Sequence, residues 1–324
     1  MMGRRVFIAG SLVWLAAPLI ARAQREGKVY RVGYLSLRKG PGPGEEAFLQ
    51  GLRELGYVEG RNLVIEYRWA GENFDRLSEL AAELVRLRVD VLVTHAQAGA
   101  RAAQQATTTV PIVLAIAGDV AGTGLVSSLA RPGGNLTGST ALTPELSAKR
   151  LALLKEAVPR IRKVAVLKRR DDPAAAPVLR LMESAAKSLN VTLQPFEVRG
   201  PNEFVSAFLA MAAAQIEAVE VFEEPILLFN AKAVAELTAK HRLPSTGFRE
   251  LAEEGGLIGY GVDVLEAYRR AAIFVDKIFK GAKAGDLPIE QPTKFELIIN
   301  LKTAQALGLT IPQALLLRAD EIIQ

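Results

Sequence analysis

The stretch that decides the fold runs from Phe74 to Ala117 and reads FDRLSELAAELVRLRVDVLVTHAQAGARAAQQATTTVPIVLAIA. Within it Leu77, Leu80, Ala81, Leu84 and Val85 recur at helical spacing, which predicts an amphipathic helix over 74–87. Residues 89–94 (VDVLVT) then read as a buried strand, 98–106 as a second helix and 111–117 (PIVLAIA) as a second buried strand. A short apolar run with little polar alternation is what a strand covered on both faces requires. Strands joined through helices of this length are parallel βαβ units with right-handed crossovers.

The same alternation extends in both directions. Upstream, 29–37 and 62–69 read as strands around a helix at 45–55, and downstream 136–142 is a short strand after the turn RPGGN at 131–135. The pattern then restarts. Helices are expected at 145–157, 174–189, 202–214 and 227–241, with strands at 163–168, 191–198, 218–222, 244–248 and 256–260. A long helix at 264–280, a strand at 294–299 and helices from Leu301 and Pro312 complete the chain. The expected fold class is therefore α/β, with two doubly wound parallel-sheet lobes side by side. No Pro- or Ser-rich linker separates them, so short hinge strands should join them.

The first residues read differently. Arg4 and Arg5 precede an apolar run from Val6 to Ile20, and Ala21-Arg22-Ala23 supplies small residues before Gln24. This is the layout of an export signal over 1–23, cut between Ala23 and Gln24, and the Arg-Arg-x-Phe-Ile order is twin-arginine-like. A retained anchor would need roughly 20 apolar residues. A periplasmic location is the expectation. The sequence carries a net charge of +5, and loss of Arg4, Arg5 and Arg22 with no acid leaves +2. Lys and Arg are scattered, which argues against a nucleic-acid partner. There are 0 cysteines, which excludes disulfides, thiolate catalysis, Cys-ligated metals and a lipid-anchoring cysteine. Half the chain is apolar and 23% charged, the composition of an ordinary globular protein, and no second stretch approaches membrane-spanning length.

In open parallel sheets, ligands meet the loops at the carboxyl ends of strands. Those ends supply the candidate binding residues: Ser36, Leu37, Thr94, His95, Gln97, Gly118, Asp119, Ser139 and Thr140 in the first half. Lys168, Arg169, Glu223, Glu224, Phe248 and Asp263 come from the second. Thr94 to Gln97 opens a helix, so its hydroxyl, ring and amides either hold a carboxylate or simply cap the helix. Lys168, Arg169 and Arg170, followed by Asp171 and Asp172, either meet a ligand or form a solvated turn. Glu223 and Glu224 either receive an ammonium or lie on the surface. Catalytic signals are weak. His95 and His241 have no partners at metal-binding spacing, and neither a nucleophile elbow nor a phosphate-binding glycine loop is present. His95 with Asp119 is the one acid–base pair that could be nominated. No enzyme activity, metal or cofactor is expected.

Four segments carry a family resemblance: FDRL at 74–77 running through Thr94, GDVAGTGLVSSLARPGGNLTG at 118–138, EEGGLIGYG at 253–261 and LPIEQPTKFELIINLKTA at 287–304. They resemble the ABC transporter substrate-binding family of the tryptophan- and tyrosine-binding type, whose fold is that of the type I periplasmic binding proteins. The resemblance implies three crossings, near 142, 262 and 290. They divide the chain into an N-terminal lobe of 24–142 plus 263–290 and a C-terminal lobe of 143–262 plus 291–324. It implies a receptor that closes on a small molecule and delivers it to an ABC permease in the inner membrane; for a protein that must dock on a permease, a monomer is the expectation. The ligand would be an amino acid, an aromatic acid or another small carboxylate. Two segments depart from the family pattern. Lys168 to Pro173 stands where an aromatic residue and an Asn-Pro turn are expected, and His95 to Ala98 replaces a loop of small hydroxyl residues. These departures count against an aromatic amino acid as ligand, and the added cations are compatible with a more acidic one, such as a dicarboxylate or an aromatic acid. A ligand-presenting subunit of a sensory system and an exported α/β enzyme are the competing readings.

Overall fold

The computed structural model describes residues 28–141, 143–172 and 175–324. The expected export signal, residues 1–23, and Pro173 lie outside the described residues. The first run comprises β1 (Tyr30–Ser36), α1 (Pro43–Glu54), β2 (Leu63–Trp69), α2 (Leu77–Arg86), β3 (Val91–Thr94), α3 (Ala96–Ala106), β4 (Ile112–Ala117) and β5 (Leu136–Thr140). The second comprises α4 (Thr143–Ala157), β6 (Lys163–Arg169), α5 (Ala175–Ser188), β7 (Thr192–Val198), α6 (Phe204–Ala213), β8 (Ala218–Val221), α7 (Pro225–Phe229), α8 (Ala231–Lys240), β9 (Ser245–Gly247), α9 (Arg249–Glu253) and β10 (Ile258–Gly261). The chain then adds α10 (Val264–Phe279) and β11 (Ile289–Glu290), followed by β12 (Glu296–Asn300), α11 (Leu301–Leu307), α12 (Gln313–Leu316) and β13 (Glu321–Ile323).

These strands form two sheets, ordered β11-β5-β4-β3-β1-β2 and β13-β12-β10-β9-β8-β6-β7. The α/β class and the two doubly wound sheets agree with the sequence reading. The chain passes between the sheets after β5, after β10 and after β11. One pairing differs from the expectation of wholly parallel sheets: β12 runs antiparallel to β10. It arrives directly from β11 of the other sheet, without the helical return that a parallel neighbour needs.

Alternation along the central strands builds two layers of core. Val32, Tyr34, Val91, Val93 and Val113 pack with Phe48 and Leu52 of α1 and with Tyr268, Ala272 and Val275 of α10. Leu35, Leu92, Ile112 and Leu114 turn to the opposite face and pack with Leu80, Leu84, Ala100 and Ala103. Each buried Val, Leu, Ile or Phe among them contributes roughly 1.5–3 kcal/mol relative to exposure. Helices α1 and α10 meet closely at Gly51, where a Cβ would stand 2.7 Å from the Arg269 carbonyl oxygen.

Other differences are local. The helix expected over 227–241 is broken at Asn230 into α7 and α8, and the Asn230 amide donates to the Ile226 carbonyl at 2.8 Å. Helix α9 and strands β11 and β13 are too short for periodicity to have shown them. No described helix is long and apolar enough to cross a membrane.

Candidate functional site

A cavity of about 240 Å³ lies between the two sheets. Its walls come from the segments after β3 and β4 in the first sheet, and from the end of β6 and the segment after β8 in the second. Phe74, Ile116, Val178, Phe222, Leu228, Phe229, Val264 and Tyr268 make it largely apolar and aromatic. His95, Gln97, Arg101, Arg169, Asp172, Glu223 and Glu224 supply the polar groups, of both charge signs.

His95 occupies the N-cap position of α3 in extended backbone, and the next residue, Ala96, has a left-handed φ of 59°. A residue other than glycine in that region carries strain of about 1–2 kcal/mol. The surrounding contacts hold it there. The Leu37 backbone N–H donates to His95 Nε2 at 3.2 Å, and the Ser36 hydroxyl lies 3.1 Å from the same nitrogen. A backbone amide only donates, so Nε2 is unprotonated and the neutral ring carries its proton on Nδ1. Burial pulls the His95 pKa down to about 4, with the positive charge of Arg38 adding to the effect. The ring meets Phe229 edge-on at 5.6 Å between centroids. Thus His95 is a neutral hydrogen-bond donor in an aromatic wall.

Across the cavity, Arg169 Nε lies 3.4 Å from Glu224 Oε2 and its Nη2 lies 3.6 Å from Asp172 Oδ1. Glu224 caps α7 by accepting the Leu227 N–H at 2.6 Å. Burial raises its pKa to about 7, against the lowering effect of the Leu227 N–H and Arg169. Glu223 pairs with Arg150, a fully buried residue of α4 that also donates to the Tyr260 carbonyl at 2.6 Å.

Of the residues expected from the sequence, His95, Gln97, Gly118, Arg169, Glu223 and Glu224 line the cavity. The others stand elsewhere, for reasons that are visible in the packing. Ser36 and Leu37 sit behind His95 and orient it. Thr94 is buried, with its hydroxyl in the space that Gly99 leaves by lacking a Cβ. Asp119 accepts the Gly122 N–H at 2.7 Å and closes its own turn, and Thr140 donates to the Gly118 carbonyl at 2.8 Å. Lys168 lies opposite Glu197 in the β6–β7 register and bonds to it at 2.6 Å, so it faces away from the cavity that Arg169 meets. Phe248 is buried in the core. Ser139 and Asp263 line a different depression at the sheet crossings, beside Arg270 and Glu290, and Asp263 caps α10 through the Glu266 N–H at 3.0 Å. His95 and Asp119 are committed to different partners and form no acid–base pair. Among the described residues no group of three or more His, Cys, Asp or Glu is placed to hold a metal ion.

Sequence reasoning missed Phe74, Arg101, Phe229, Tyr268 and Arg150. The aromatic residues carry the same signal as core residues, and Arg150 carries the signal of a solvated helix position.

Comparison with known proteins follows the same outline. Residues 44–323 match the family model described as ABC transporter substrate binding protein. A tyrosine-binding protein of Clostridioides difficile is 24% identical over 267 residues, covering 82% of this chain and 76% of that protein. The ABC domain from Streptococcus pneumoniae, solved in complex with L-Trp, superposes with a TM-score of 0.83 at 24% identity, covering 91% of this chain and 99% of the other. A conserved domain protein from Vibrio cholerae gives 0.84 at 27% identity, covering 91% and 100%.

Proposed function

Because the chain belongs to the ABC transporter substrate-binding protein family, we propose that it captures a small aromatic carboxylate, an amino acid or an aromatic acid, between its two sheets. It then presents that ligand to the membrane permease. The observation that carries this reading is the cavity itself, where aromatic side chains surround groups of both charge signs. The His95 Nδ1–H, the first amides of α3 and Arg101 suit a carboxylate. Glu223 suits a cationic end, and Phe74, Phe229 and Tyr268 suit a ring. The L-Trp complex and the tyrosine-binding relative point the same way.

The charge balance also decides between ligands. Lys168 is paired with Glu197 away from the cavity, and Arg169 is matched by Glu224 and Asp172. The site is therefore balanced rather than basic, which favours an aromatic monocarboxylate or zwitterion over a dicarboxylate. The carrier reading is supported by the structural roles of His95 after β3, held by the Leu37 N–H, and of Asp119 after β4, which closes its own turn. Closure about the three crossings is stabilised by the ligand and gives the permease a distinct state to bind. Family members of this kind serve importers on the outer side of the membrane. Here that site is the periplasm, reached after cleavage between Ala23 and Gln24.

A thermal-shift panel of aromatic amino acids, aromatic acids and dicarboxylates tests the reading. A ligand held only by the folded state raises the melting temperature with concentration. An aromatic carboxylate should do so and be recovered unchanged. A shift given only by dicarboxylates, or conversion of the ligand, would overturn the proposal.

A further inference from the structure

Arg150 lies in α4, fully buried, and touches the cavity only through another residue. Its Nη2 donates to Glu223 Oε2 and its Nε to the Tyr260 carbonyl. Glu223 lines the cavity, whereas Arg150 does not. Gly261 keeps room for the pair: a Cβ there would stand 3.0 Å from Arg150 Nη2 and 4.0 Å from Glu223 Oε2. Two further buried carboxyl groups flank it. Burial raises the Glu220 pKa to about 8, offset in part by Arg150. Burial raises that of Glu250 to about 7, and the Glu223 charge adds to the rise. Neither carboxyl oxygen of Glu220 hydrogen-bonds to Arg150, whereas Glu223 is bonded directly to the Arg150 guanidinium and is the group that pairs with it. A buried guanidinium without such a partner is strongly unfavourable. The pair therefore stays formed, with Oε2 occupied and Oε1 left to accept a hydrogen bond from a guest.

We propose that Arg150 is a positioning residue: by clamping one oxygen of Glu223 it fixes the other as an acceptor in the cavity wall, and so selects ligands that carry an ammonium over the same ligands without one. This rests on the cavity being the capture site. It adds a residue that no ligand touches to the determinants of specificity.

The test is calorimetric titration of the native protein and of the Arg150→Met, Arg150→Lys and Glu223→Gln variants. The probes are tryptophan, tyrosine and phenylalanine, each against the propionate that lacks its ammonium: 3-indolepropionate, 3-(4-hydroxyphenyl)propionate and 3-phenylpropionate. The native protein should prefer an amino acid over its propionate by about tenfold or more, the worth of one charge-assisted hydrogen bond. Arg150→Met and Glu223→Gln should each reduce that preference at least about fivefold while changing propionate affinity less than about twofold. Arg150→Lys should retain part of it. A merely structural Arg150 would instead weaken both ligands equally, which would overturn the proposal. Should Arg150→Met not fold, an unchanged preference in Arg150→Lys and Glu223→Gln overturns it as well. A native protein that binds a propionate at least as well as its amino acid rejects this inference and leaves the capture reading intact. Binding of none of the six overturns this inference, and the wider thermal-shift panel of aromatic acids then decides the capture reading on its own.

Discussion

The guanidinium carbon of Arg169 stands 4.3 Å from the ring centroid of Phe74, and the two residues belong to different lobes. Arg169 ends β6, and Phe74 follows β2. The relationship is reciprocated: Arg38, after β1, lies 4.7 Å from the ring of Phe229 at the end of α7. Each lobe thus lends a guanidinium to an aromatic ring of the other. Such a stack contributes about 0.5–1 kcal/mol when exposed and about 2 kcal/mol when desolvated, and it exists only while the lobes are together. Arg169→Met or Phe74→Leu should therefore accelerate ligand release about threefold to thirtyfold with little change in association. Stopped-flow release rates of both single variants and the double variant check this. Strictly multiplicative effects would show that the two residues do not act as a pair.

Lys168 and Arg169 make a sharper contrast. Neighbouring residues of a strand face opposite sides of the sheet, and Lys168 is bound to Glu197 while Arg169 meets the cavity. Lys168→Ala should leave ligand affinity within about twofold, as expected of a pair whose partner is well exposed. Titration of that variant decides the matter. A larger loss would return Lys168 to the site.

His95 predicts an acid limit on stability. Its pKa is about 4 in the fold against an ordinary 6.5, so the native state binds fewer protons than the unfolded chain between those values. The stability this provides is present above about pH 6.5 and is lost as pH falls through about 4. Asn at position 95 cannot titrate. The His95→Asn variant should lose about 1–3 kcal/mol less than the native protein between pH 7 and pH 4. Denaturant unfolding at several pH values measures the difference, and parallel curves would refute it.

Glu220 predicts the opposite limit. Burial raises its pKa to about 8 from an ordinary 4.5. The folded state holds that proton longer than the unfolded chain, so the stability is present below about pH 4.5 and is lost as pH rises through about 8. Glu220→Gln should leave stability near pH 5 almost unchanged and raise it by roughly 2 kcal/mol at pH 8. Melting curves at the two pH values check this, and equal shifts at both would contradict it.

The alternation of strands and helices was legible because buried parallel strands leave continuous apolar runs. Residues 91–94, 112–117 and 163–169 are examples. The polar edge of the cleft was legible for a related reason. Arg169 ends its strand, His95, Gln97, Glu223 and Glu224 follow theirs, and these particular ends face the cleft. What was hidden depends on direction. Phe74, Phe229 and Tyr268 read as ordinary core residues, because composition does not say whether a ring faces a neighbour or a cavity. The choice between Lys168 and Arg169 turns on which strand face meets the cavity, and the sequence alone leaves both faces open. Arg150 lies in a helix whose apolar pattern is faint, and only its bonds to Tyr260 and Glu223 reveal its burial. The break at Asn230 has no proline or glycine to announce it.

The interlaced path of the chain has a consequence for how the protein is made. Helix α10 shares with α1 the covering of Val32, Tyr34, Val91 and Val93, yet it follows the five strands β6 to β10 in the sequence. During synthesis the first sheet therefore emerges with half of its roof missing, and that face stays bare until Phe279 has cleared the ribosome. A nick between β5 and α4 would not release a usable half, because the first fragment would lack both this helix and the edge strand β11. The order of segments along the gene thus ties the two lobes to a single folding event, however freely they later move.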